Sequence, residues 1–172
     1  TVVWDYHYGN AHHDIARLPN GNTLLISREF ILRSDAIAAG RNPALLDENL
    51  RPLHIVEVQT NGPTDGPIVW EWRASDHLIQ DYDPSKPNYG VVADHPELID
   101  LNFAASGSAD WLHANGIDYN PALDQIVVSP RNVHELWVID HSTTTAEAAS
   151  HAGGNSGMGG DLLYRWGNPR AY

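Results

Sequence analysis

The sequence predicts an all-β chain, and more narrowly part of a β-propeller: about two blades plus one strand of a preceding blade. The first observation behind this prediction is an internal repeat. His13 to Arg28 and His113 to Arg131 both run from a histidine through an apolar stretch, a turn and a second apolar strand to an arginine. The second observation is that residues alternate with the period of a strand in the segments after each copy.

Each repeat supplies four predicted antiparallel strands, which is the composition of a propeller blade. In the first copy Asn20-Gly21 marks a tight turn, because such hairpin turns need positive φ. The third strands alternate apolar residues, and the fourth strands place a charged residue between two aromatic ones. These strands are expected at 54–58 and 136–140, and at 68–72 and 162–166, with 2–6 as a further copy of the fourth. We expect the aromatic residues to pack in the core rather than to line a ligand site.

The repeats are longer than usual blades because they carry insertions. Residues 1–8 are expected to be the last strand of the preceding blade, with one blade at 11–73 and the next at 111–167. The insertions cover 30–52, 74–110 and 141–160. In the first insertion, an Ala-rich stretch predicts a short helix capped by Ser34 or Asp35.

Two blades alone would expose strand edges and apolar faces, since propellers close with roughly four to eight blades. The missing blades are therefore expected from the rest of a longer chain or from other chains. The alternative is a compact two-sheet sandwich built from the same strands.

Composition excludes several classes of function. The chain has 10 basic and 22 acidic residues and a formal charge of −12, which excludes a basic face for nucleic acid. It has no cysteine, so disulfides, thiolate metal sites and cysteine nucleophiles are excluded. The apolar runs are too short for a membrane span. No basic, apolar leader opens the chain, so any signal peptide is expected to lie outside it.

The repeated histidines and arginines form the candidate site. The first strand of each blade lines the channel of a propeller, so His13 and His113 are expected to converge near one mouth, with Arg28 and Arg131 in reach. Imidazoles and guanidiniums together bind oxyanions, and a neutral imidazole also serves as nucleophile or general base. His12 adjoins His13, so in a strand the two would face opposite ways and only one would line the channel.

No metal and no organic cofactor are expected. His12, His13 and Asp14 are ligand types for zinc, but neither a His-x₃-His nor a cysteine spacing accompanies them. The remaining histidines that lack a repeated counterpart are expected to be solvated, namely His7, His54, His134 and His151.

Three segments resemble the bacterial arylsulfotransferase (aryl-sulfate sulfotransferase) family. They are His-His-Asp-Ile at 12–15 with Leu-Pro-Asn-Gly-Asn at 18–22, the stretch 110–132 that contains Asp-Trp-Leu-His-Ala-Asn and Ser-Pro-Arg-Asn, and the tail 159–169. The resemblance implies a six-bladed propeller that transfers a sulfuryl group from an aryl sulfate ester to a phenol. It further implies a sulfated-histidine intermediate, no nucleotide sulfate donor, and a periplasmic or secreted location.

The resemblance also implies roles for individual residues. His13 and His113 match histidines that bind the sulfate, and Arg131 matches the arginine that neutralises the sulfuryl oxygens. Asn115 is expected to orient the substrate. Arg28 and His12 complete the expected substrate-binding set.

The family's nucleophilic histidine belongs to a motif that follows the Arg-Trp-Gly-Asn-Pro segment, here 165–169, and no residue of this chain matches it. The nucleophile is therefore expected beyond Tyr172, and the chain alone is expected to be inactive. A different class of function remains open, namely a non-catalytic propeller that serves as a binding or structural module or as a subunit of a larger assembly. A quinoprotein-type dehydrogenase is disfavoured, because the paired cysteines and metal ligands of that class are absent.

Overall fold

A computed structural model describes residues 1–2, 4–103 and 109–172, which form an all-β fold. The first antiparallel sheet has the order β1 (Ile15–Arg17), β2 (Thr23–Arg28), β3 (Leu53–Val58), β4 (Ile68–Arg73). A small parallel pair follows, β5 (Leu78–Ile79) and β6 (Ile99–Asp100). The second antiparallel sheet consists of β7 (Ala114–Asn120), β8 (Gln125–Pro130), β9 (Leu136–Asp140) and β10 (Leu162–Trp166). Both sheets are open, and each places four strands in chain order, as the repeat predicts.

The helices are short and lie in the insertions. Helix α1 (Arg33–Ala38) has its N-cap at Leu32, two residues before Ser34, and no side-chain hydrogen bond caps it. The expected cap at Ser34 or Asp35 is therefore wrong, because both residues lie inside the first turn. Helix α2 (Thr145–Ala148) has a reciprocal capping box between Thr144 and Glu147. Single 3₁₀ turns occur at Pro43–Leu45, Ala74–Asp76, Val92–Asp94 and Arg131–Val133.

The main hydrophobic core lies between the two antiparallel sheets. Strands β1 and β2 contact β7 across it, so the first strands of the two sheets are neighbours. The first sheet contributes among others Leu24, Ile26, Trp70 and Trp72, and the second contributes Ile117, Val128, Trp137 and Ile139.

The last strands of the two sheets differ in burial, although the equivalent residues Ile26 and Val128 of the second strands lie in the same core. Strands β4 and β10 carry the same aromatic-charged-aromatic pattern, and each shifts register between its first and third residues. Trp72 is only 1% exposed in the shared core, whereas its counterpart Trp166 is 64% exposed. In β10 the charged residue, Arg165, is the one that is buried. The expectation that every copy of the pattern packs its aromatic residues in a core is therefore wrong for Tyr164 and Trp166.

The N-terminal segment covers the other face of the first sheet. The rings of Trp4, Tyr6 and Tyr8 stack in series, with centroids 5.0 and 6.5 Å apart. They pack on a second apolar cluster formed by Leu25, Val56 and Val58. The described residues of 1–8 form no strand, although Trp4, Tyr6 and Tyr8 recur at every second position. No described helix combines the length and apolarity that crossing a bilayer requires.

Candidate functional site

Three histidine rings meet where the first strands of the two sheets adjoin. The ring centroids of His13 and His113 are 4.8 Å apart, and those of His12 and His113 are 6.3 Å apart. The Nδ1 atoms of His12 and His13 are separated by 2.6 Å, so one of these nitrogens donates a hydrogen bond to the other. The cluster therefore joins side chains from both copies of the repeat.

Local backbone conformation produces this convergence. His13 has φ of 64° and His113 has φ of 48°, both in the left-handed region that non-glycine residues seldom occupy. Strand β1 begins only at Ile15, so neither His12 nor His13 follows strand alternation. The expectation that His12 and His13 face opposite ways is wrong for this reason, and both rings lie beside His113.

Asp110 connects the histidine cluster to an arginine. Its Oδ2 lies 2.6 Å from Nδ1 of His113 and 2.7 Å from an Nη atom of Arg28. With Nδ1–H donated to the carboxylate, His113 presents Nε2 for chemistry, as in other carboxylate-oriented histidines. The repeat comparison missed Asp110. The signal that could have found it is an acidic residue three positions before a candidate histidine.

His12 and Arg28 each contribute an unsatisfied polar atom. Burial, together with the nearby Arg28 guanidinium, lowers the pKa of His12 to about 4, so this ring is neutral at neutral pH. Nε2 of His12 and Nε of Arg28 are buried and have no hydrogen-bond partner among the described residues. Buried polar atoms are rarely left without partners, so these two are candidates for ligand contacts.

The two remaining candidates lie outside this cluster. The backbone N–H of Arg131 donates to the carbonyl of His113 at 3.1 Å, but its side chain is exposed. Asn115 is exposed at the irregularity between Ala114 and Ile117 in β7. Within the described ranges, neither side chain makes a hydrogen bond or an ion pair. The structure thus brings His12, His13, His113 and Arg28 together and leaves Arg131 and Asn115 at the surface.

A cleft adjoins the cluster at Arg28. Its volume is about 380 Å³, which is large enough for an aromatic ring with a small substituent. Its lining combines two arginines with an aromatic residue and short backbone: Gly9, Asn10, Ala11, Arg28, Glu29, Phe30 and Arg51.

Comparison with known proteins identifies the family. The sequence model of the arylsulfotransferases (Arylsulfotransferase, ASST) matches residues 4–147, most of the chain and all of the cluster. The chain belongs to the arylsulfotransferase family. No curated protein and no solved structure matches it.

The arylsulfotransferase assignment is consistent with the donors gathered at the cluster. Sulfuryl transfer spreads negative charge over peripheral oxygens, and imidazole and guanidinium N–H groups are suitable partners for that charge. Outside the cluster, His54 was expected to be solvated, which is wrong. It is buried in β3, and its Nε2 lies 3.0 Å from Oε2 of Glu71. His7, His134 and His151 are exposed.

Proposed function

We propose that this chain carries the sulfate-holding part of an aryl-sulfate sulfotransferase site. The substrates are a small aryl sulfate ester and a phenolic acceptor. The observation that carries the proposal is the meeting of His12, His13 and His113 beside the Arg28–Asp110 ion pair. Membership of the family supports the reaction class.

In the proposed reaction a histidine nitrogen attacks sulfur, an N–S bond forms, and the S–O bond to the aryl oxygen breaks. The phenolate leaves with the electron pair of that bond. In the second half, the acceptor phenol loses its proton to a base, its oxygen attacks sulfur, and the N–S bond breaks. His13, His113 and Arg131 are assigned to holding the sulfuryl group rather than to attacking it.

Asp110 gives His113 two uses in this scheme. The carboxylate accepts from Nδ1 and fixes the orientation of the ring, so Nε2 is directed to the substrate. A protonated Nε2 donates to a sulfuryl oxygen or to the departing phenolate, and a neutral Nε2 accepts the proton of the acceptor phenol. His12 remains neutral because of its lowered pKa, so its unsatisfied Nε2 is proposed as a hydrogen-bonding contact rather than a charge.

The cleft at Arg28 is proposed as the site of the aryl group. Phe30 is exposed at its edge and offers a ring face, while Arg28 and Arg51 supply positive charge for the sulfate end. Arg131 and Asn115 are proposed to close on the bound group, since their side chains are not held by other described residues.

We also propose that the two sheets are consecutive blades of a propeller, with the family's six blades supplied in part by other residues. The proposal is supported by the four antiparallel strands of each sheet, which lie in chain order, and by the contact between the first strands of the two sheets. An exported location, periplasmic or secreted, belongs to the same proposal.

Binding of nitrophenyl sulfate, followed by titration calorimetry, tests the site in this chain. We expect His113→Ala and Arg131→Gln each to weaken binding by at least about tenfold, because a charged hydrogen bond is worth about 1.5–3 kcal/mol. His95→Ala is the matched control, since His95 is exposed and outside the cluster. Absence of binding to the parent chain, or equal binding by parent and variants, would refute the site.

The second candidate is a non-catalytic module within a larger assembly. It is favoured by the exposed aromatic face of β10, where Tyr164 and Trp166 are 60% and 64% exposed. Native mass measurement separates the two proposals when it is combined with the binding experiment. An oligomer that binds no aryl sulfate supports the module, whereas specific binding supports the enzyme site.

A further inference from the structure

A second side-chain cluster lies apart from the proposed sulfate site. It consists of His77, which follows the 3₁₀ turn at Ala74–Asp76, His151, which follows α2, and Asp161, which immediately precedes β10. One ligand atom from each residue lies within 4.8 Å of the other two. We propose that these three side chains bind a divalent transition-metal ion, with zinc as the best fit.

The hydrogen-bond geometry of His77 supports this proposal. Its Nε2 lies 2.9 Å from the carbonyl oxygen of Ala148, and its Nδ1 lies 2.7 Å from Oδ1 of Asp161. Both ring nitrogens therefore face acceptors, although a neutral imidazole has only one N–H. A metal at Nδ1 resolves this conflict, because Nε2–H then donates to the carbonyl while the Nδ1 lone pair binds the ion.

His151 also directs a ring nitrogen at Oδ1 of Asp161. Its Nδ1 is 2.8 Å from Oδ1 of Asp161, so two imidazole nitrogens converge on one carboxylate oxygen. Tetrahedral zinc, with bonds of about 2.0–2.1 Å, separates neighbouring ligand atoms by about 3.3 Å. The two imidazole nitrogens thus need to move about half an ångström away from Oδ1 of Asp161, and all three ligand atoms already lie within 4.8 Å of one another. The exposed side chain of His151, 62% accessible, is free to make that adjustment.

The surrounding structure holds His77 in place for such a role. Its ring is fully buried and stacks on Trp72 with centroids 5.4 Å apart and an interplanar angle of 5°. Trp72 donates from Nε1 to the carbonyl of Gly160 at 2.7 Å. A side chain at Gly160 would collide with the Ala148 carbonyl and approach Nε2 of His77 to 2.7 Å. A metal-binding histidine whose second N–H is fixed by a backbone carbonyl is a common arrangement in zinc sites.

The donor set decides which ion fits. Two imidazoles and one carboxylate suit zinc and neighbouring transition metals, whereas calcium and magnesium need six or more oxygen ligands. Three protein ligands leave the fourth tetrahedral position to water, which reaches the site beside His151. The bound ion would tie the segment after β4 to the loop between α2 and β10, and thus fasten the two sheets together.

The test is zinc binding by the chain after treatment with a chelator, followed by titration calorimetry. We expect one equivalent of zinc per chain and no comparable binding of calcium or magnesium. His151→Ala should weaken zinc binding by at least about tenfold, as should Asp161→Asn. Because His151 is exposed, its replacement leaves the buried packing intact, and circular dichroism checks this.

His95→Ala is the matched control, because it removes an exposed histidine that also pairs with a carboxylate, Oε1 of Glu97 at 2.9 Å. The control should bind zinc as the parent chain does. The proposal fails if the chelator-treated chain takes up no equivalent of zinc, or if His151→Ala and the parent bind it equally. Either result would leave His77, His151 and Asp161 as a hydrogen-bonded cluster that holds no metal.

Discussion

The two antiparallel sheets share one strand order but present the same sequence pattern to opposite surroundings. In β4, Trp72 is buried and donates to the Gly160 carbonyl of the segment that leads into β10. In β10, Trp166 takes the place of Trp72 in the sequence pattern but faces solvent, and Arg165 is buried instead. Arg165 forms an ion pair of 2.6 Å with Glu135, whose side chain is fully buried.

This difference arises from strand register rather than from opposite packing of the two sheets. Trp72 pairs with Ile55 of β3, whereas the residue that pairs with the equivalent Trp137 of β9 is Arg165. The pattern in β10 is therefore displaced by one residue, and Tyr164 and Trp166 lie on the face that points away from the core. The N-terminal aromatic segment covers the corresponding face of the first sheet.

The largest expected effect is a loss of folding stability on replacement of Trp72, measured against replacement of Trp166, its counterpart in the sequence pattern. Trp72→Ala should lower the free energy of unfolding by about 3–5 kcal/mol, because it opens a cavity in the shared core and leaves the Gly160 carbonyl without its donor. Trp166→Ala should change it by no more than about 0.5 kcal/mol, since an exposed side chain loses few contacts. Urea unfolding followed by fluorescence and circular dichroism measures both.

Trp166→Ala is thus the matched control for Trp72→Ala. If the two substitutions destabilised the chain equally, the face that carries Tyr164 and Trp166 would have to be covered in solution, and the contrast between β4 and β10 would fail.

The repeat predicted the strands well because period-two alternation and the Asn20-Gly21 turn are local signals. It could not predict which face of a strand becomes buried, because that depends on what packs beside the sheet. The β10 aromatic residues and the buried His54 illustrate this limit. The site was predicted only in part for a similar reason: the repeat indicated His13 and His113, but Asp110 has no repeated counterpart.

A second prediction concerns His141, which bridges the two sheets. Its Nε2 lies 2.8 Å from Oε2 of Glu57 in β3, and its Nδ1 lies 2.8 Å from Oδ1 of Asp124, just before β8. Burial alone would lower the pKa of His141, but hydrogen bonds to these two carboxylates outweigh it and raise the pKa. Burial would raise the pKa of Glu57, but hydrogen bonds from His141 and Asn22 outweigh it and lower the pKa.

The sign of the pH dependence follows from these two shifts. The raised pKa of His141 stabilises the fold fully below its ordinary pKa of 6.5, and this stability is lost as pH rises through the folded pKa. The lowered pKa of Glu57 stabilises the fold above its ordinary pKa of 4.5, and that stability is lost as pH falls through the folded pKa. The contact between the sheets should therefore be strongest between about pH 4.5 and 6.5.

His141→Gln measures this contribution. We expect it to cost about 1.5–3 kcal/mol near the middle of that pH range, because charged hydrogen bonds are lost, and to flatten the pH dependence of unfolding. His95→Gln replaces an exposed histidine and should leave the profile of the parent chain unchanged. A parent profile that is already flat across this range would show that His141 does not couple the sheets electrostatically.

The smallest expected effect is a change in the pKa of His12, which lies where the first strands of the two sheets meet. The pKa of His12 should be about 4, because burial and the Arg28 guanidinium both disfavour the imidazolium. Arg28→Gln should raise this pKa toward its ordinary value of 6.5 without removing the contribution of burial. Arg51→Gln is the matched control, since Arg51 lines the same cleft but is not among the groups that shift the pKa of His12.

Imidazole proton resonances followed by NMR from about pH 3 to 8 provide the measurement, since this range brackets the ordinary histidine pKa. A His12 that titrates near 6.5 in the parent chain would mean that its ring is solvated, so that it does not pack against His13 and His113. Equal shifts in the Arg28→Gln and Arg51→Gln variants would remove the special role given to Arg28. A rise confined to Arg28→Gln would tie the neutral state of His12 to the ion pair that joins Arg28, through Asp110, to the second sheet.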